Sequence, residues 1–309
     1  MTSNRTYLVT GASGFVGRAL ISRLLADGHR VRAVVRGQPT RDWELTCDLA
    51  APVSAWEKAI DGCDGVFHLA WSTVPGTANS APLDDLNTNV VGTVRMLEAL
   101  RGFSSVPLVF ASSGGTVYGV PREVPIQESH PLRPMGVYGA AKACAEQYLM
   151  AYRRQWNVDA RVLRLSNPYG PGQNVEGQLG AATVFAWRAV TGAPINIWGN
   201  GSIVRDFVYI GDTVEAFIAM MNASRSVWTE TEPVVNIGSG HGVSIIEIIR
   251  VIEELMDTKL DVTYHPSRTF DLPINVLDVS LAKRLLDWSP STRFSDGMTR
   301  MLDNLKARV

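Results

Sequence analysis

Short apolar runs alternate with helix-period segments along the first two thirds of the chain. The runs over residues 6–10, 31–35, 65–69, 108–112 and 160–165 are rich in Val, Leu or Phe and apolar almost throughout. A strand that is apolar at nearly every position needs cover on both faces, as in a parallel sheet. Between these runs the pattern predicts helices over 15–26, 53–60, 90–100 and 138–155. In the first, Val16, Leu20, Leu24 and Leu25 form one apolar stripe. Strand–helix alternation implies right-handed crossovers and a doubly wound α/β sheet.

The texture changes after Leu165. Pro168, Gly170, Pro171, Gly172, Gly177 and Gly180 punctuate residues 167–180, which read as a long functional loop. Helices are expected over 182–190, 212–222, 244–256, 281–286 and 294–306, with short strands over 195–198, 234–237 and 260–264.

Composition narrows the class. Of 309 residues, 46% are hydrophobic and 19% charged, which suits a sizeable core and not a disordered chain. Lys and Arg number 29 against 30 Asp and Glu, a formal net charge of -1. A binder of nucleic-acid backbone is normally basic, so nucleic acid is not the expected partner. No apolar run approaches the ~18 residues of a membrane span. Residues 1–7 leave no room for the apolar core of a secretory signal. Cys47, Cys63 and Cys144 are scattered, with neither a disulfide framework nor metal-type spacing. A soluble cytoplasmic protein without a bound metal is expected.

The first strand runs into Gly11-Ala-Ser-Gly14-Phe-Val-Gly17, and a helix follows. Gly11 allows a tight turn, Gly14 lets the backbone approach a pyrophosphate, and Gly17 lets the helix pack closely. Free N–H groups and the positive end of the helix dipole then favour phosphate. Gly11, Ser13, Gly14, Phe15, Val16 and Gly17 are therefore candidate dinucleotide contacts. The expected organisation is a Rossmann dinucleotide-binding domain over 1–166. A smaller, mainly substrate-binding α+β region follows over 167–309, with some segments returning to the first domain. No Asp or Glu lies between Arg30 and Arg41 to hold a ribose 2′-hydroxyl. Arg36 suits a 2′-phosphate, which tilts the cofactor towards NADP; its other reading is a surface cation stacked on adenine. Asp48 and Leu49 are candidate adenine contacts.

Tyr138 and Lys142 are four apart, so both side chains share one helix face. Pro134 and Gly136 precede them and small alanines surround them, which lets the helix lie close to a flat ligand. A phenol near pKa 10 is a poor base at neutral pH, and a nearby ammonium is expected to lower that value. Tyr138 can then take a proton from a hydroxyl while hydride leaves the carbon. His68, on an apolar strand, reads as a satisfied core histidine and not a base.

With these motifs placed, the chain resembles the extended short-chain dehydrogenase/reductases, in the nucleotide-sugar epimerase/dehydratase family, over nearly its whole length. The resemblance implies further roles. His68-Leu69-Ala70 resembles the strand after which the chain lines the cofactor, with Trp71 just beyond. Asn89 resembles the family's structural asparagine beside the cofactor. Ser112-Ser-Gly-Gly-Thr-Val-Tyr-Gly119 resembles the segment carrying the catalytic hydroxyl. Asn167-Pro-Tyr-Gly-Pro171 resembles the turn contacting nicotinamide and sugar. Arg205-Asp-Phe-Val208 resembles the segment whose arginine meets the sugar nucleotide's diphosphate. Arg268-Thr-Phe-Asp271 resembles a tail pair, with Arg on phosphate and Asp on ribose.

One departure stands out. The family's catalytic hydroxyl position falls on Gly114. Ser112, Ser113 and Thr116 are the hydroxyls at hand, with Ser113 favoured and Thr116 a second sugar contact. Gly114–Gly115 also lacks the Asp-Glu pair of a dehydratase. The leading expectation is a nucleotide-sugar 4-epimerase working through transient hydride transfer to NAD or NADP. An NADPH-dependent 4-ketoreductase of a nucleotide-linked deoxysugar stays open, since it shares the same motif residues. A non-catalytic cofactor-binding module is a third reading, although such a protein is expected to lose Tyr or Lys. The resemblance also implies a homodimer through the helices at 90–100 and 138–155.

Overall fold

The computed structural model describes residues 4–175, 180–267 and 272–309. The strands are β1 (Thr6–Thr10), β2 (Arg30–Val35), β3 (Glu44–Thr46), β4 (Gly65–His68), β5 (Leu108–Ser113), β6 (Ala160–Leu165), β7 (Asn167–Tyr169), β8 (Ile195–Trp198), β9 (Val204–Tyr209), β10 (Val234–Ile237), β11 (Gly242–Ser244), β12 (Val262–His265) and β13 (Ile274–Asn275). The helices are α1 (Phe15–Ala26), α2 (Val53–Ile60), α3 (Pro75–Ser80), α4 (Pro82–Asp85), α5 (Val91–Leu100), α6 (Val137–Trp156), α7 (Ala181–Thr191), α8 (Ile210–Asn222), α9 (Ile245–Met256), α10 (Ser280–Leu286) and α11 (Phe294–Lys306). A π-helical turn, Leu86–Val90, joins α4 to α5.

β1 and β6 are buried at every position. They lie inside a parallel sheet of order β10-β6-β5-β4-β1-β2-β3. Residues of α1, α8 and α10 cover one face, and residues of α2, α5 and α6 cover the other. The order reverses between β1 and β4, which opens a crevice beyond their carboxyl ends. This is the expected doubly wound, Rossmann-like arrangement. A smaller sheet of order β11-β9-β13, with β7 also paired to β9, packs with the pair β12-β8 and the helices α7, α9 and α11. Among the described residues, no helix is long and apolar enough to cross a membrane.

Several elements depart from expectation for identifiable reasons. The loop expected over 167–180 begins with β7. β9 carries Arg205 and Asp206 at mid-strand, which hides its apolar pattern. Asp206 is fully buried because the Ser239 N–H (2.6 Å), the Ser239 hydroxyl (2.7 Å) and the Leu277 N–H (3.2 Å) donate to its carboxylate. β10, by contrast, lies at the expected residues Val234–Ile237 and pairs with β6 at the edge of the large sheet. The strand expected over 260–264 lies at Val262–His265.

Charge is also buried beneath the crevice. The Arg164 guanidinium, on β6, meets the Glu146 carboxylate of α6 at 2.7 Å. The Ser112 hydroxyl of β5 donates to the same carboxylate, and Arg164 donates to the Tyr118 hydroxyl at 2.9 Å. α6 is thereby held in one register against β5 and β6.

His68 is the satisfied core histidine its position in β4 promised. Thr93 donates its hydroxyl proton to the Asn89 carbonyl (2.7 Å), so it accepts from His68 Nε2–H (3.0 Å). Nδ1 then accepts from the Thr10 hydroxyl (2.9 Å), which in turn accepts from the Leu69 and Ala70 N–H groups. Burial, and secondarily the Lys142 charge, push His68 down from 6.5 to about 3. The unfolded chain therefore takes up this proton first. The stability involved is present above pH 6.5 and is lost as pH falls towards 3, by up to about 1.4 kcal/mol per pH unit. Denaturation curves recorded from neutral to mildly acidic pH should show a shallower acid loss in His68→Gln than in the parent. Equal slopes would contradict the assignment.

Candidate active site

The crevice at the first crossover is a cleft of about 320 Å³. Thr10, Gly11, Ser13 and Gly14 line it from the first turn, and Val34, Val35 and Arg36 from the end of β2. Cys47, Asp48 and Leu49 line it after β3, and Leu69, Ala70, Trp71 and Ser72 after β4. Nine of the sequence-selected positions thus meet in one cavity: Gly11, Ser13, Gly14, Arg36, Asp48, Leu49, Leu69, Ala70 and Trp71.

The glycines have distinct physical tasks. Gly11 has φ +68, and a Cβ there would meet the Ala70 nitrogen at 2.7 Å. Gly14 N–H closes the turn on the Gly11 carbonyl at 2.9 Å. A Cβ on Gly17 would lie 2.2 Å from the Gly11 carbonyl oxygen, so only a bare backbone lets the helix start beneath the loop. Phe15 and Val16 open the helix here, and Val16 packs into the core. No side chain caps α1 and no acid lies in its first turn, which leaves N–H donors and dipole for an anion.

Tyr138 and Lys142 sit near the start of α6, where Gly139 lets the helix approach the Thr116 carbonyl to a distance no Cβ would tolerate. The Lys142 ammonium is buried. It donates to the Ala111 carbonyl at 2.7 Å and lies 3.7 Å from the centre of the Trp71 ring. The Tyr138 ring meets the same indole edge-on, with centroids 6.3 Å apart. Trp71 thus joins the pair to the wall of the cleft.

The electrostatics correct one expectation. Lys142 does not lower the phenol in this arrangement, because its nitrogen is 5.9 Å from the Tyr138 ring centre and engaged elsewhere. Burial, and then the Asp85 charge, push Tyr138 up to about 12. Burial pushes Lys142 down to about 7, against the opposing charges of Glu146 and Asp85.

The hydroxyls separate by strand alternation. Ser112 faces α6 and is buried against Glu146. Ser113 is half-buried, and its hydroxyl has no partner among the described residues. Thr116 donates weakly to the Ser113 carbonyl at 3.4 Å. Asn89 is buried and saturated: it accepts from Ser72 N–H (2.8 Å) and hydroxyl (3.1 Å), and donates to Thr73 (3.3 Å) and Asp85 (2.9 Å). It braces the loop after β4 and has no free amide group for a ligand. Asn167, on β7, donates to the Asp206 carbonyl at 2.8 Å. Arg205 donates to the Leu272 carbonyl at 2.7 Å. Arg268 and Asp271 lie outside the described residues. Asp85 escaped sequence reading, since Asp84-Asp85 at a helix start has the pattern of an ordinary solvated pair.

Gly17 offers a direct probe. An added methyl there overpacks the loop, at a cost of about 1–3 kcal/mol, or on the order of ten- to a hundredfold in dinucleotide affinity. Titration of Gly17→Ala with NAD(H) and NADP(H) should show that loss, and unchanged affinity would count against the loop as the phosphate cradle.

Known proteins resemble this chain over nearly its whole length. A family model described as the NAD dependent epimerase/dehydratase family matches residues 7–238. The chain is 31% identical to the UDP-glucose 4-epimerase of Mycolicibacterium smegmatis, over 96% of this chain and 97% of that one. It is 27% identical to the dTDP-4-dehydro-6-deoxyglucose reductase of Escherichia coli, over 97% and 98%. The structure of the Thermus thermophilus UDP-glucose 4-epimerase in complex with NAD superposes with a TM-score of 0.87, at 30% identity and covering 98% of this chain and 100% of that one. The chain is an enzyme of the NAD dependent epimerase/dehydratase family.

Proposed function

We propose that this enzyme is a nucleotide-sugar 4-epimerase that keeps NAD bound through the reaction. The observation that carries the reading is the meeting of Tyr138 and Lys142 on Trp71, at the wall of a cleft built on an uncapped helix start. The cleft fits a dinucleotide. Gly11, Ser13, Gly14 and the first-turn N–H groups would hold its pyrophosphate, Arg36, Asp48 and Leu49 its adenosine end, and Leu69, Ala70 and Trp71 its nicotinamide side. When bound, NAD supplies a hydride acceptor and donor.

The protein supplies the proton. Tyr138 exchanges it with the oxygen at C4 of the sugar, once as base and once as acid. The phenol at rest is firmly protonated, so a positive charge must approach it before it can act as base. Lys142, one helical turn away, provides that charge on leaving the Ala111 carbonyl. Ser113, whose hydroxyl has no partner among the described residues, steadies the C4 oxygen by a hydrogen bond. Thr116 and Asn167 contact the sugar, and Arg205 and Arg268 meet the diphosphate with forked donors. Asp271 takes the nucleotide ribose.

A second reading has its own support. Arg36 lines the cleft at the end of β2, and no acid accompanies it on that strand. This favours NADPH and a 4-ketoreductase of a nucleotide-linked deoxysugar.

Nucleotide released by denaturing the purified enzyme, followed by incubation with UDP-glucose, UDP-GlcNAc and their 4-epimers, separates the two. Bound NAD with interconversion of a pair supports the epimerase. Turnover that requires added NADPH and a keto sugar replaces it with the reductase. Tyr138→Phe should lose about 10²–10⁴-fold in activity while keeping nucleotide affinity, and full activity would sink the mechanism. Ser113→Ala should lose activity at unchanged melting temperature. Ser112→Ala should do the reverse, because it strips a donor from a buried carboxylate; the opposite pattern would transfer the catalytic hydroxyl to Ser112.

A further inference from the structure

Asp85 is a buried carboxylate that makes no direct ion pair among the described residues. It closes α4, and its side chain is fully withdrawn from solvent. One oxygen accepts from the Thr73 hydroxyl and from Asn89 Nδ2. The other oxygen is buried without a hydrogen-bond partner among the described residues. None of the ion pairs among those residues includes it. Leaving a buried acceptor unmade costs about 1–3 kcal/mol, and more for a charged group, so such a group calls for a reason.

Its surroundings supply one. α4 and the π-turn pack against α6, the helix that carries Tyr138 and Lys142. The π-turn places Asn89 one turn beyond Asp85, where its Nδ2 clamps the carboxylate and its Oδ1 clamps the backbone at Ser72, just after Trp71. Lys142 is faced by Asp85 from α4, by Glu146 on its own helix, by Tyr138, and by neutral His68 from β4. Arg164 neutralises Glu146 directly. Glu146 still supports the ammonium, but among the described residues Asp85 is the carboxylate that acts on both members of the pair without a cation bound to it directly.

We propose that Asp85 is a positioning residue that sets the resting protonation of the Tyr138–Lys142 pair, holding the proton on the phenol and the positive charge on the amine. This rests on Tyr138 as the proton carrier. The carboxylate opposes phenolate formation and supports the ammonium, so it fixes which member of the pair carries the charge before a ligand enters. Burial alone acts otherwise, since it favours the neutral form of both groups.

That difference makes the idea testable in the unliganded enzyme. Removing the charge by Asp85→Asn should lower the ionisation of both groups, by about one pH unit each. Loosening of the site would lower the phenol but raise the amine, because both would move back towards their values in water. Tyrosinate absorbance, taken as the difference between each protein and its Tyr138→Phe counterpart, reads the phenol. Carbon-13 NMR of labelled lysine reads the amine, and the chain has only five lysines to resolve. Asp85→Ser, which keeps a hydroxyl for Asn89, serves if the Asn variant does not fold, and the same two downward shifts are expected. Unmoved ionisations, or a rise in the amine, would overturn the proposal while leaving the role of Tyr138 intact. Activity that survives Tyr138→Phe would instead remove the underlying reading, without touching the titration result.

Discussion

Two opposite charges taken out of water govern the geometry of the site. Isolated, Glu146 or Arg164 would carry a desolvation penalty of several kcal/mol in this interior. The penalty is tolerable because Ser112, Tyr118 and the Glu128 carbonyl complete the hydrogen bonding around the pair. Those partners come from β5, from the segment beyond it, and from the loop leading to α6. The helix is consequently keyed to the sheet in both rotation and height. Tyr138, Lys142 and Glu146 follow at intervals of four along it, so the lowest of the three dictates where the upper two stand. Loss of either partner would strand a buried charge, an error of about 3–5 kcal/mol.

The same interior explains the chemistry of the upper pair. Water withdrawal pushes a phenol up and an amine down, and both shifts are present. The phenol thus rests with its proton in place, while burial and the nearby carboxylates pull the amine in opposite directions. Specific contacts then bias that balance: the Ala111 carbonyl and the Trp71 face favour the ammonium.

Much of the architecture was legible because its signals were local. Runs such as Tyr7-Leu-Val9 and Val109-Phe110 announce strands covered on both sides, and the glycine spacing announces the turn between them. Strands that carry charge were not legible. β9 reads as a polar motif until Ser239 and Leu277, far along the chain, supply donors for Asp206. The π-turn has no periodic signature, and Asp85 acquires meaning only when α4 folds against α6. In the site, the spacing of Tyr138 and Lys142 was visible but the sign of their mutual influence was not. Spacing fixes which face two residues share; burial and competing partners decide what they do to one another. The different surroundings of Ser112 and Ser113 likewise needed the strand's two faces, one of them closed by Glu146.

Trp71 gives the cleft and the buried amine a common partition, one indole thick. Anything that stacks on its open side alters the electron-rich surface against which the ammonium rests on the other. A shift of the indole would therefore move one wall of the cleft and one face of the amine's shelter together.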